Sequence, residues 1–131
     1  MKKGVLLINL GTPDSPKISD VRTYLSQFLN DPFVIDINPV YRFFLVNFII
    51  VPFRAGKSAA LYKEIWMKNG SPLLIQGEKV KELLQKKLSI DEQTFSEKGD
   101  GFVVELGMRY QKPSIESAFD KLLEAKVDEI I

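Results

Sequence analysis

The run GVLLINL, Gly4 to Leu10, is nearly continuous in branched apolar side chains. Such a run suits a central parallel strand buried on both faces. GTPDSPK then breaks it with one glycine and two prolines. Ser19 can cap a helix from about residue 20 to Leu29, with Val21, Leu25 and Phe28 on one face and Asp20 favourable in the first turn. Residues 30–39 read as a linker with a short extended piece at 33–37.

The stretch 40–53, VYRFFLVNFIIVPF, is interrupted by Arg42 and Asn47 and is short for a bilayer span. It reads as a buried helix, with a partly exposed apolar surface against a membrane or a second domain as the alternative. The spacing of Leu61 and Ile65 predicts a helix over 58–67, with Gly70 available as a left-handed cap. Ser71 as N-cap and Pro72 as first helical residue open the next helix, which runs through Leu88 and partly buries Leu73, Val80, Leu84 and Leu88. Residues 89–101 read as a polar surface loop.

Residues 101–108, GFVVELGM, form the next predicted strand, and Glu105 within it requires a partner if buried. A helix over 114–125 carries Ile115, Ala118, Phe119 and Leu122 on one face, and 127–131 starts another strand. A core strand that ends with the chain suggests a truncated domain. The strand–helix–strand unit is short enough for a right-handed crossover. With the first strand it supports an α/β lobe, a parallel sheet flanked by helices. Ligands of such folds sit beyond the carboxyl ends of the strands, here the turns at 10–13 and 109–112.

At 131 residues the chain is the size of one domain, and 45% hydrophobic residues can build a core. A net charge of +1, from 18 basic and 17 acidic residues, gives no long-range argument for nucleic acid. The counts of cysteine and histidine are both zero. Disulfides are therefore excluded, and chemistry that needs imidazole must come from outside these residues. MKKGVLLINLG imitates a signal peptide, but its apolar part is too short and Asp14, Asp20 and two prolines follow.

The turn LGTPDSP contains one glycine and no dinucleotide fingerprint. Arg109 and Tyr110 leave a strand end together, a planar cationic fork beside a flat hydroxylated ring. That pair suits a large, flat, acid-bearing ligand, although surface Arg–Tyr pairs are also ordinary. Arg54 and Lys57, three apart, can share a helix face with Tyr62 a further turn along. Cations at a helix start gain nothing from its dipole, so solvent or an anionic ligand accounts for them. Trp66, Met67 and Ser71 follow on the same surface or pack in a core. Asp128 and Glu129 alternate across a strand, which argues against a joint acid–base role.

Four segments together resemble the amino-terminal part of ferrochelatase: LLINLGTPDSP at 6–16, VRTYLSQFLNDPFVID at 21–36, YKEIWMKNGSPL at 62–73 and ELGMRYQKPSIESA at 105–118. The resemblance implies a three-layer, Rossmann-like chelatase lobe over 1–131, the first of two lobes with a porphyrin cleft between them. Leu10 matches a cleft-floor position that holds methionine or tyrosine in some relatives. Arg54 and Lys57 match basic residues of the cleft's lip, Tyr62 and Ser71 the same wall, and Arg109 and Tyr110 a pair lining the pocket. The stretch 40–53 looks like the lip associated with porphyrin entry and membrane contact.

By that resemblance, ferrous iron and a porphyrin, protoporphyrin or coproporphyrin, are substrates of the complete enzyme. Its histidine and acidic partner follow Ile131, so the fragment alone is expected to hold no metal ligand and to be inactive. An iron–sulfur cluster is not addressed by these residues, and nucleic acid is not an expected partner. The expected location is cytoplasmic with peripheral membrane contact. Two other readings stay open, a non-catalytic tetrapyrrole- or anion-binding module and a chelatase for another metal and tetrapyrrole.

Overall fold

The computed structural model describes the backbone of residues 1–95 and 101–131, and side chains for 1–89 and 101–131. It divides into two compact units, Met1–Gly11 with Leu73–Ile131, and Thr12–Pro72.

The first unit is built on β1 (Lys3–Gly11), paired in parallel with β2 (Phe102–Tyr110) and with the short β3 (Glu129–Ile130), in the order β2-β1-β3. The apolar run 4–10 therefore does form the central strand. Lys3 pairs with Phe102, Leu7 with Leu106 and Gly11 with Tyr110, an unslipped register along the strand. Helices α4 (Pro72–Phe95) and α5 (Ile115–Glu124) cover opposite faces of this sheet. Adjacent residues of β2 show it: a Cβ on Gly77 of α4 would meet Leu106, whereas one on Gly107 would meet Ile115 of α5.

The α4 register differs from the expected one. Val80 is 53% exposed and Leu73 is also exposed, while Gly77, Lys81 and Gln85 lie against the sheet and Leu84 and Leu88 are half-buried. The polar members of that face have specific partners. Gln85 accepts from the Val104 N–H at 2.8 Å and donates to the Phe102 carbonyl at 2.8 Å. One side-chain amide thus stands in for a neighbouring strand along β2. Lys81 lies 2.8 Å from the Glu105 carboxylate, and Lys121 of α5 lies 3.8 Å from the same oxygen. Glu105 thus has the partner that its position demanded. Asp128 and Glu129 have separate partners, the Lys2 backbone N–H and the Lys3 ammonium.

α4 also continues through Phe95, into the segment expected to be a loop; the rest of that loop, 96–100, lies outside the described residues. Ser114 caps α5 by accepting from the Ser117 N–H, and Ala118 and Leu122 are buried. Phe119 is exposed and Ile115 half-buried.

The second unit packs α1 (Ile18–Leu29) beside a long helical rod. The rod consists of α2 (Pro39–Phe44), a π-helical turn (Leu45–Ile50) and α3 (Val51–Ile65), without a break. Neither the extended piece at 33–37 nor a fresh helix start at 58 is present. Asp31 accepts from Val34 and Ile35 in turns, and Asn38 caps the rod through the Val40 N–H at 3.0 Å. Met67 and Gly70 exchange two backbone hydrogen bonds after the rod ends.

By length and composition the 27 residues Pro39–Ile65 could cross a bilayer. Packing argues for a different role. Val46, Val51, Ala55 and Ala59 form a buried stripe, and Arg42 is buried with its guanidinium on the Ile35 and Ile37 carbonyls. The expectation of a buried helix at 40–53 is met on that side only. Tyr41, Phe43, Phe44, Phe48, Ile49 and Phe53 are exposed.

α1 begins at Ile18, so Ser19 lies inside the first turn and caps nothing. Ser15 organises the start instead, accepting from the Lys17 N–H and donating to Asp20 at 2.6 Å. Buried Tyr24 and Leu29 join Val21 and Leu25 on the inner face, and Phe28 is half-buried.

Two expectations follow. Gly107→Ala places a Cβ 2.8 Å from the Ile115 Cα. It should cost about 1–3 kcal/mol in urea unfolding, and an unchanged midpoint would mean that α5 yields freely. Hydrogen bonds from Ser15 and then Ser19 hold the Asp20 carboxyl below the ordinary range. Its stabilising contribution is full above the unfolded carboxyl's pKa and disappears as pH falls through the lowered folded value. Ser15→Ala should raise the Asp20 midpoint in carboxyl-carbon NMR, and an unmoved midpoint would discount that bond.

Candidate functional site

The strand register decides which candidate residues of the first unit meet. Asn9 pairs with Met108 and Gly11 with Tyr110, so Leu10 and Arg109 lie side by side at the carboxyl end of the sheet. They also point to the same face, because parallel partners share their alternation. Leu10 is 47% exposed there, and Ile8 on the same side is 61% exposed. The central strand is thus not buried on both faces within the described residues. α5 reaches this face at Gly4 through Leu122 and at Gly107 through Ile115, leaving the carboxyl half of β1 open.

Arg109 and Tyr110 are adjacent on a strand and begin on opposite faces, yet their side chains meet. The Arg109 Nε–H donates to the Tyr110 hydroxyl at 3.1 Å, and the guanidinium carbon lies 5.6 Å from the ring centroid. Tyr110 is buried and Arg109 exposed. A buried ring therefore steadies an exposed cation, and a cation held in this way loses less entropy on binding any anion than a free one would. The chain then turns through Gln111 at positive φ, and the Met108 N–H bonds the Pro113 carbonyl at 2.6 Å, closing GMRYQKP onto itself.

Arg54, Lys57, Tyr62 and Ser71 belong to the second unit. Arg54 and Lys57 are exposed on α3 at an i, i+3 spacing, away from the buried Val51–Ala55–Ala59 stripe. Tyr62 is half-buried, and Ser71 is buried just before Pro72 opens α4.

Tyr62 also belongs to a group of rings that linear reasoning did not assemble. Its ring meets Tyr24 edge-on at 6.3 Å and Trp66 edge-on at 6.3 Å, while Tyr24 stacks on Phe28 at 5.9 Å. Four aromatic residues from α1 and the end of the rod form one row. The i, i+4 spacings of Tyr24 with Phe28 and Tyr62 with Trp66 were legible, whereas the meeting of the two pairs depends on how α1 packs on α3. The same pair of helices leaves an open cleft of about 520 Å³ lined by Lys17, Ile18, Gly56, Ala59 and Lys63, none of them among the seven candidates. Among the described residues, no group of three or more acidic side chains is placed to hold a metal ion.

The family model for ferrochelatase matches residues 2–131. The chain belongs to the ferrochelatase family. A curated ferrochelatase of Coxiella burnetii (strain RSA 493 / Nine Mile phase I) is 51% identical over 130 residues, which cover 99% of this chain and 34% of that protein. The Bdellovibrio bacteriovorus ferrochelatase is 47% identical, covering 99% of this chain and 36% of its own length. That of Marinomonas sp. (strain MWYL1) is 44% identical over 98% of this chain and 37% of its length. The chain thus spans about a third of the length of the curated ferrochelatases it matches.

Proposed function

We propose that this chain forms one wall of the porphyrin cleft in an enzyme that inserts ferrous iron into protoporphyrin IX or coproporphyrin. Membership of the ferrochelatase family supports the reaction class. The observation that carries the residue assignment is the placement of Leu10 beside Arg109, on an open apolar face, with Tyr110 engaged by the arginine. A flat, acid-bearing macrocycle needs an apolar floor and a cation at its rim. Leu10 supplies the floor, and the Arg109 fork pairs with a propionate directly or through water.

Residues 1–131 act in this reading as the first of two lobes. Within the second unit, the family resemblance assigns Arg54 and Lys57 to a cleft lip and Tyr62 and Ser71 to a cleft wall, with Tyr24 and Phe28 backing the Tyr62 ring. Iron insertion displaces two pyrrole protons, and they must pass to bases. By the family resemblance the accepting bases are a histidine and an acidic partner, and these 131 residues contain no histidine. The wall holds and shapes the ring, and the 131 residues alone are inactive. Iron enters this scheme as substrate.

The lip accounts for the exposed side of the rod. Tyr41, Phe43, Phe44, Phe48, Ile49 and Phe53 are exposed together, with Arg54 and Lys57 directly following. Apolar rings followed by cations suit the interface of a bilayer with its headgroups. In this reading the protein, expected in the cytoplasm, touches the membrane peripherally through 40–53.

Arg109→Ala in the full-length protein should lower kcat/KM for porphyrin about tenfold, chiefly through KM. Unchanged steady-state kinetics would remove Arg109 from the cleft. Absorbance titration of the 131 residues with porphyrin tests the lobe itself. Tight stoichiometric binding would instead indicate a self-sufficient binding module, while binding only by the longer protein supports a shared cleft. Phe53→Ser should lower partitioning of the full-length protein into phospholipid vesicles about tenfold, and equal partitioning would clear the lip of this role.

A further inference from the structure

The exposed rings of the rod are not in an ordinary α-helical arrangement. Phe44 stacks on Phe48 at 5.7 Å, and Phe43 meets both, Phe44 at 5.6 Å and Phe48 at 6.3 Å. Five residues along an α-helix overshoot a full turn by about 140°, which would carry Phe48 away from Phe43. The π-helical turn Leu45–Ile50 removes most of that overshoot. Its wide spacing is visible where the Val51 N–H reaches the Val46 carbonyl five residues back. The next bond of that series would need an N–H at position 52, which is proline, so the widened segment stops there.

Asn47 stands inside this turn with both ends of its amide committed. Its Nδ2 donates to the Phe43 carbonyl at 2.8 Å. Its Oδ1 accepts from the Ser26 hydroxyl at 2.6 Å and from the Asn30 Nδ2 at 3.4 Å, both on the α1 side. Asn30 is itself fixed by its bond to the Ser26 carbonyl at 2.8 Å. Beside Asn47, Val46 is fully buried, while Phe43, Phe44 and Phe48 are 53%, 56% and 63% exposed. One polar side chain therefore anchors the wide turn to α1 and leaves the three rings turned to the solvent.

We propose that Asn47 is a positioning residue that assembles Phe43, Phe44 and Phe48 into a wedge for a lipid surface. The partner named here rests on the membrane reading above, and the assignment of Asn47 is additional to it. Lipid is the occupant because the wedge carries no charged group of its own. Exposed Tyr41, Ile49 and Phe53 lie on the same rod, and the exposed cations Arg54 and Lys57 follow Phe53 on it, a composition suited to an acyl boundary beside headgroups. An amide rather than an apolar residue is needed at 47 because a leucine there would leave the Ser26 hydroxyl facing an alkyl group and the wide turn without its side-chain tie.

The test uses the full-length protein with labelled phenylalanine rings, the variants Asn47→Leu, Asn47→Asp and Ser26→Ala, and vesicles of phosphatidylethanolamine with phosphatidylglycerol. Asn47→Leu should lose the Phe43–Phe48 ring contact in NMR and bind vesicles about fivefold more weakly. Asn47→Asp keeps the acceptor for Ser26 and Asn30 but not the donor to Phe43, and should lose the ring contact while remaining folded. Ser26→Ala should keep the ring contact, because it leaves that donor in place. An intact Phe43–Phe48 contact in both Asn47 variants, with wild-type vesicle binding, would overturn the role of Asn47 and leave the membrane reading standing. A wild-type protein that ignores vesicles would overturn the membrane reading and the partner, whatever the rings do.

Discussion

The parallel ladder between β1 and β2 is the constraint on which the first unit depends. Its register runs unslipped from Lys3 with Phe102 to Gly11 with Tyr110. A slip of one residue would turn every side chain of β2 to the other face. Leu106 would then meet α5 instead of α4, Gly107 would no longer admit Ile115, and Arg109 would leave the side of Leu10. Helix packing and the placement of Leu10 beside Arg109 are thus settled by one pairing. Gly77 and Gly107 make that pairing selective, since each lets one helix approach one residue of β2 more closely than a side chain would allow.

Polar groups in this unit are matched to the same register. Glu105 sits mid-strand with only 14% of its side chain exposed, and Lys81 stands at contact distance. Removing one member would leave a largely buried charge, which costs more than the pair itself contributes. Gln85 uses both ends of its amide on β2 and occupies backbone groups that would otherwise invite another strand. α4 is therefore held to the sheet by directional contacts, which explains how it tolerates Val80 and Leu73 facing outward.

The rod of the second unit follows a related rule with the opposite balance. Its buried stripe is made of small or β-branched residues, Val46, Val51, Ala55 and Ala59, which suits close packing on α1. Its large apolar residues are mostly on the other side. Such a distribution is expensive in water and sensible only where something apolar meets it. The two polar interruptions of the apolar stretch, Arg42 and Asn47, are both consumed by local carbonyls and α1 side chains rather than by solvent. They fix where the rod lies.

Much of the fold was legible because it rests on local spacing. The apolar runs at 4–10 and 101–108 became the paired strands, Ser114 capped its helix, and the pattern at 114–125 put Ala118 and Leu122 inside. The candidate residues at the strand exits were legible too, from their place after those runs, and the four family segments were legible as text. Local sequence signals misread α1's cap and the face of α4, because Ser15, Lys81 and Gln85 each choose partners that such signals do not see, and they missed that the rod runs unbroken through residue 58. By itself, then, the chain determined its strands, most of its helices and its family, since these depend on neighbours within a few residues. Only the tertiary structure decided that Leu10 and Arg109 share an edge, that Tyr110 steadies the arginine, and that the rings of the rod face outward. Those outcomes depend on register and on groups brought together from distant parts of the sequence.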